Sequence, residues 1–208
     1  MQLDSRDITD RQPIPPRFAF ARPDPENHMA LSDNVSPHLA WSNVPGETKS
    51  FAVVCMDPDV PSEADDVNTE GKTLPADMPR VDFFHWVMVD LPSDVQVLET
   101  AECSDGVTPG GKQNPPGPAA ARQGLNNYTQ FLAGAEDLEG RYFGYDGPCP
   151  PWNDERLHHY HFTVYALDVE KLDLPDEFDG PAVMEAIEGH VLDKAMITGT
   201  YTLNPEVG

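Results

Sequence analysis

The sequence predicts a mainly β fold, a β-sandwich carrying one or two late helices. Three observations predict it. Four short runs rich in β-branched and aromatic residues recur along the chain. The 22 prolines are scattered as punctuation between such runs, at about twice the usual ~5% share. Helix signals are few, and nothing alternates strand with helix in the manner of a parallel α/β sheet.

The first strand is Ser50–Met56 (SFAVVCM), nearly all apolar, as expected where both faces are covered. The second is Phe83–Asp90 (FFHWVMVD) and the fourth Ile197–Leu203 (ITGTYTL). In the third, Tyr160–Leu167, the residues Tyr160, Phe162, Val164 and Ala166 share one parity. His161, Thr163 and Tyr165 share the other, which gives the strand one drier face. Phe18 and Phe20 are read as the start of a further strand. Asp179 followed by Pro181 is an N-cap and first-turn pair, with Val183, Ile187 and Val191 at i, i+4 and i+8 and a break at Gly189. A weaker helix is read over Gln130–Glu139.

Residues 1–16 read as a polar arm ending in Pro13, Pro15 and Pro16, and residues 17–208 as one domain. Two segments exceed ordinary connections: Ser62–Val81, rich in acids, and Ser104–Asn127, rich in glycine and proline. Both are expected at the rim of a pocket.

Charge and composition narrow the function. With 13 basic and 36 acidic side chains the formal net charge is −23, which disfavours nucleic acid and anionic membrane surfaces. No apolar run reaches the ~20 residues of a membrane helix. The N-terminus carries no basic region followed by an apolar core, so a cytoplasmic location is expected. Cys55, Cys103 and Cys149 are an odd number without a CxxC pair, which supports neither a disulfide framework nor a zinc ribbon.

The polar residues that stand out follow the first strand and precede the third. In Asp57-Pro58-Asp59 the two carboxylates are i, i+2, so an extended backbone turns them to one side, where they share protons; the competing reading is an Asx-turn at the strand end. His85-Trp86 lies inside an apolar run. Gly147-Pro148-Cys149-Pro150-Pro151 is a stiff loop that leads to His158, His159, Tyr160 and His161 and makes a plausible pocket wall. The histidines and aspartates also admit a metal site, but no spaced metal motif is present and no metal ligand or cofactor is assigned. Sharp turns at Pro58, Pro148, Pro150 and Pro151 lead to the expectation of at least one cis bond among them.

DPDVP at 57–61, HWVMVDLP at 85–92 and GPCPP…HHYHFTVYALD at 147–168 resemble, in order and approximate spacing, the signature blocks of the phosphatidylethanolamine-binding protein family, also called Raf kinase inhibitor-like. The resemblance runs from about Phe18 to Leu203. It implies an antiparallel β-sandwich with a small pocket for phosphate or a phosphoethanolamine-type head group. On this resemblance the ligand-binding residues are Asp57, Asp59, His85, Trp86, Gly147, Pro148, His158 and Tyr160. The family usually has arginine after its second histidine, where this chain has His159, which removes one fixed positive charge.

The function expected is non-catalytic binding of a small anionic or phosphorylated ligand, with His85 or His158 as the imidazolium or one aspartate as a neutral donor, backbone N–H groups near Gly147 as further donors, and a regulatory role through protein partners the sequence does not name. The alternative is a hydrolase using the same Asp/His cluster, with or without a metal.

Overall fold

The three richest β-forming runs lie side by side at the centre of the largest sheet. The computed structural model describes residues 1–207. In chain order its elements are β1 (Gln2–Asp4), a 3-10 turn (Pro16–Phe18), β2 (Ala21–Asp24), β3 (His28–Leu31), β4 (Leu39–Ser42), β5 (Ser50–Pro61), β6 (Arg80–Pro92), β7 (Val97–Leu98), β8 (Arg122–Gln123), α1 (Tyr128–Phe131), β9 (His158–Leu167), α2 (Gly180–Ala186) and β10 (Val191–Tyr201). A five-stranded sheet runs β10-β9-β5-β6-β8, a three-stranded sheet β1-β4-β7, and β2 pairs with β3 as a hairpin. Every pairing between these strands is antiparallel.

Burial explains the sandwich. One face of the large sheet presents Phe51, Val53 and Cys55 from β5, Trp86 and Met88 from β6, and Tyr160, Phe162, Val164 and Ala166 from β9. These pack with Leu39, Trp41 and Leu98 of the small sheet, and Trp41 meets Phe51 edge to face at 5.3 Å. The other face, with Ala52, Val54, Val87, Val89 and Tyr165, is covered by Leu172, Phe178 and the α2 residue Val183, with Ile187 just beyond. β5 is therefore apolar at both parities because it is buried on both sides.

The helices depart from the sequence reading. Asp179 does cap α2, accepting a hydrogen bond from the Ala182 N–H at 3.0 Å. The helix stops short of Val191, however, which opens β10 on the surface. The segment read as a helix over 130–139 is a single turn, α1, followed by tight turns. Gly134 and Gly189, at φ of +82° and +81°, sit where these two helical stretches give out. Phe18 closes a 3-10 turn set up by Pro15 and Pro16 and does not begin a strand. No cis peptide bond occurs among the described residues, so the expected cis proline is absent; all the turns at Pro58, Pro148, Pro150 and Pro151 are made by trans bonds.

Residues 1–16 lie against the sandwich. β1 pairs with β4, Pro13 bridges to Thr200, and Ile14 donates its N–H to Thr200 O at 2.8 Å. Ile8 and Ile14 are buried in the main core, and two apolar residues in a polar stretch were too sparse to show a pattern. Ile14 fills the space over Gly199, where a Cβ would meet its side chain at 2.4 Å. Ile14→Ala is expected to destabilise the protein by about 2–5 kcal/mol in urea denaturation. A change below about 0.5 kcal/mol, the range of ordinary surface substitutions, would show that the segment does not belong to the core.

Candidate functional site

Two irregularities in the β5–β6 pairing build the site. Cys55 stands opposite Trp86 and Met56 opposite Phe84, which leaves His85 as an extra residue on β6. Asp57 stands opposite Phe83 and Val60 opposite Val81, which leaves an extra residue on β5. A bulge bends its strand and re-aims the side chains beside it. Here Trp86 goes into the core, Phe84 goes to the helical face, and His85 turns with Phe83 and Asp57 into a pocket. The pocket encloses about 490 Å³, open solvent at its mouth included. Its floor holds Asp57, His85, His158 and Tyr160; Val60, Pro61, Phe83, Tyr128, Phe131 and Cys149-Pro150-Pro151 form apolar walls.

His158 is held from both sides. Its Nδ1 is 2.7 Å from Asp57 Oδ2 and its Nε2 is 3.1 Å from Asp154 Oδ2. Asp154 in turn pairs with Arg80, whose Nη2 lies 3.0 Å from Oδ1. All four side chains are buried or nearly so. Burial works against a charge on His158, but the hydrogen bonds to Asp154 and Asp57 outweigh it and lift the pKa to about 9. Both ring nitrogens therefore carry protons and both are spent on carboxylates. His158 thus lines the pocket as an internal cation with both ring N–H groups directed at carboxylates.

His85 is the opposite case. Burial, helped by the nearby positive His158, lowers its pKa to about 4 against the pull of Asp57. Its Nδ1 lies 2.9 Å from the Asp146 carbonyl oxygen. A neutral ring so placed donates from Nδ1, which leaves Nε2 as a bare acceptor. The Asp146 carbonyl is fixed because the buried Asp146 carboxylate accepts from Asn34 at 2.8 Å, Asn126 at 2.9 Å and Lys112 at 2.7 Å. Tyr160 packs edge to face on His85 at 5.1 Å. Its hydroxyl is buried without a hydrogen-bond partner. Burial first, then the charge of Asp57, hold its pKa well above the ordinary tyrosine value.

Four other expected residues do not meet at the floor. Asp59 lines no part of the pocket; it pairs with Arg156 Nε at 2.6 Å and with the His159 N–H and Nδ1 at 3.0 and 2.8 Å. These partners outweigh its burial and lower its pKa. The two aspartates do form an Asx-turn, with the Asp59 N–H 2.8 Å from Asp57 Oδ1. Trp86 is a core residue whose Nε1 donates to Gln123 at 2.9 Å. The Gly147 N–H donates to Asn34 Oδ1 at 2.8 Å, so it is not the free donor expected for an anion. A Cβ there would lie 2.0 Å from the Phe18 carbonyl oxygen, so the position requires close backbone packing. The Pro148 carbonyl accepts from Phe20 N–H at 2.9 Å and so anchors the wall loop.

Sequence reasoning missed Asp154, Arg80, Asp146, Lys112, Tyr128 and Phe131. Asp154, four residues before His158, carried a usable signal. Lys112 sits in the long 104–127 segment and Arg80 is the first residue of β6; neither carried a signal. Cys149 is on the wall, but burial raises its thiol pKa to about 12, so it is not a ready nucleophile. On β9, His161 binds Thr198 at 2.8 Å and His159 binds Asp59, so neither joins His85 and His158 in a chelating set.

A raised folded pKa means that the His158 contribution to stability is full below the unfolded value near 6.5 and is lost as pH rises through about 9. His158→Gln, which cannot ionise, leaves two buried carboxylates under-compensated and is expected to lose about 3–5 kcal/mol. Urea denaturation across this range is expected to show a decline in the parent protein that the variant lacks. Parallel curves would contradict the assignment.

The comparisons with known proteins agree with this architecture. The family model described as phosphatidylethanolamine-binding protein matches residues 4–202. The UPF0098 protein YbhB of Escherichia coli is 34% identical over 97% of this chain and 100% of its own. A UPF0098 protein of Methanothermobacter thermautotrophicus is 33% identical over 97% and 98%. The crystal structure of Escherichia coli YbcL, described as a new member of the mammalian PEBP family, superposes with a TM-score of 0.70 at 28% identity, covering 97% of each chain. That of Chlamydia trachomatis CT736, described as a putative homologue, gives 0.63 at 26% identity over 96% and 95%. The chain belongs to the phosphatidylethanolamine-binding protein family.

Proposed function

We propose that the protein binds, without chemical turnover, a small ligand bearing a phosphoryl group, with Asp57, His85 and Tyr160 as the contacting residues. The observation that carries this reading is two polar groups of opposite kind at the floor of an apolar pocket: the Tyr160 hydroxyl, buried without a hydrogen-bond partner, and His85, whose Nδ1 is spent on the Asp146 carbonyl and whose Nε2 is left as an acceptor. A monoanionic phosphoryl group satisfies both, donating P–O–H to Nε2 and accepting from the tyrosine. Repulsion from Asp57 is offset because His158 compensates its charge, and Arg80 does the same for Asp154. On a zwitterion such as phosphoethanolamine, the ammonium is attracted by the Asp57 carboxylate, whose oxygens already accept from the Asp59 N–H and from His158. Hydrolysis draws no support from this geometry, since the wall cysteine is held as a thiol and His158, the only charged imidazole at the floor, is locked between carboxylates. No helix among the described residues is long and apolar enough to cross a membrane. The three free cysteines fit the cytoplasmic setting we propose.

The bound state holds one proton between His85 Nε2 and the ligand. Free phosphate monoesters lose that proton near a pKa of about 6, so affinity is expected to be flat below it and to fall up to tenfold per pH unit above. Calorimetric titration with phosphoethanolamine and inorganic phosphate from pH 5.5 to 8.5 (about the histidine range) tests this. His85→Ala is expected to remove most of the affinity and its pH dependence, and Tyr160→Phe to weaken binding about two- to tenfold. Undiminished affinity in the His85 variant, or no binding of either compound to the parent at millimolar concentration, would overturn the reading.

A further inference from the structure

The pocket floor is rich in acceptors and short of donors. The Asp146 carbonyl can only accept, so His85 Nδ1, 2.9 Å away, carries the ring proton and Nε2 presents a lone pair. The Asp57 carboxylate is a second acceptor on the same floor. The donors nearby are mostly committed. Both His158 nitrogens face carboxylates, at 2.7 and 3.1 Å. The Gly147 N–H donates to Asn34 Oδ1 at 2.8 Å, and the Tyr128 hydroxyl donates to the Gly147 carbonyl at 2.6 Å. The Tyr160 hydroxyl is the floor donor left without a partner. For Nε2 to donate as well, His85 would have to become an imidazolium. Its burial and the positive His158 oppose that, while Asp57, which favours it, already shares its charge with His158. Cys149 and Tyr128, the other titratable groups on the lining, are held neutral by burial. An anion fits such a floor best when it brings its own proton.

We propose that the site selects ligands carrying a P–O–H group, which are phosphate monoesters, phosphonates and inorganic phosphate, and rejects phosphodiesters. The inference rests on the phosphoryl reading above and adds its selectivity. A phosphodiester anion has no proton to give, so its bare oxygens meet Nε2 and Asp57 lone pair against lone pair. The intact diester head group of a glycerophospholipid falls outside the selected class. Binding a diester requires His85 to take its proton from solvent. That ring does so near a pKa of about 4, roughly two units below the ~6 at which a monoester loses its own proton. Above the monoester pKa the diester is therefore disfavoured on the order of a hundredfold.

The test is calorimetric titration of the full chain with ethyl phosphate and dimethyl phosphate, isomers of one composition. Inorganic phosphate is compared with sulfate, an anion of similar size that keeps no proton near neutrality. At about pH 7, ethyl phosphate is expected to bind on the order of a hundredfold more tightly than dimethyl phosphate, and phosphate to bind where sulfate does not. At about pH 5 the first ratio is expected to narrow to roughly tenfold, because the diester gains from each added proton while the monoester already holds its own. His85→Gln, whose amide can donate as well as accept, is expected to lose most of the discrimination. The pH series needs no variant and decides the question even if His85→Gln does not fold. Dimethyl phosphate binding as tightly as ethyl phosphate near neutral pH, or sulfate as tightly as phosphate, would overturn the selectivity and leave the phosphoryl reading standing. Failure of both ethyl phosphate and inorganic phosphate to bind at millimolar concentration would remove both.

Discussion

The site depends on one buried ion chain, Asp57–His158–Asp154–Arg80. It links β5, the start of β6, and the stretch from the loop after Pro151 to the start of β9, three segments well separated in sequence. Each ion loses several kcal/mol of hydration on burial, so any single member left alone is strongly destabilising. Only the complete chain is tolerable, and it fixes the positions of its members. It also closes on itself in charge, two carboxylates against an imidazolium and a guanidinium. The pocket floor is therefore near neutral despite an overall charge of −23.

This closure assigns opposite roles to two histidines that look alike in sequence. His158 is protonated because two carboxylates hold its nitrogens. His85, one bulge away, is neutral because burial and the neighbouring positive charge both work against protonation. The fold adds a second fixed point, Asp146, whose carboxylate is held by Asn34, Asn126 and Lys112 and whose backbone carbonyl accepts the hydrogen bond from His85 Nδ1–H. Lys112 comes from the long 104–127 loop and Arg80 from the end of 62–81, so both loops reach the site through buried cations that stabilise the floor.

The fold was largely legible because β5, β6 and β9 are written in residues that burial on both faces demands, while β1, β3 and β4 are short and partly polar and left no pattern. The helical misreadings have a local cause, since glycines at positive φ ended turns that apolar spacing alone extended. The site was legible in part. Asp57, His85, His158 and Tyr160 come together at the floor, and Cys149-Pro150-Pro151 of the stiff loop form part of its wall. What sequence did not show is which nitrogen faces what. The i, i+2 spacing of Asp57 and Asp59 implied a shared face, but a bulge intervenes and Asp59 turns to Arg156 and His159. Arg156, two residues before His158, supplies the cation beside Asp59. Trp86 lay next to a pocket residue in sequence and faces the core with Met88 by the ordinary alternation of β6.

The central claim is the split protonation of the two floor histidines, and nitrogen-15 long-range correlation spectra of the imidazoles at pH 7 test it most directly. The account predicts His158 as the doubly protonated imidazolium and His85 as the neutral Nδ1–H tautomer, with Nε2 at the shift of a bare acceptor. A neutral His158, or a His85 protonated at Nε2 in the free protein, would contradict it.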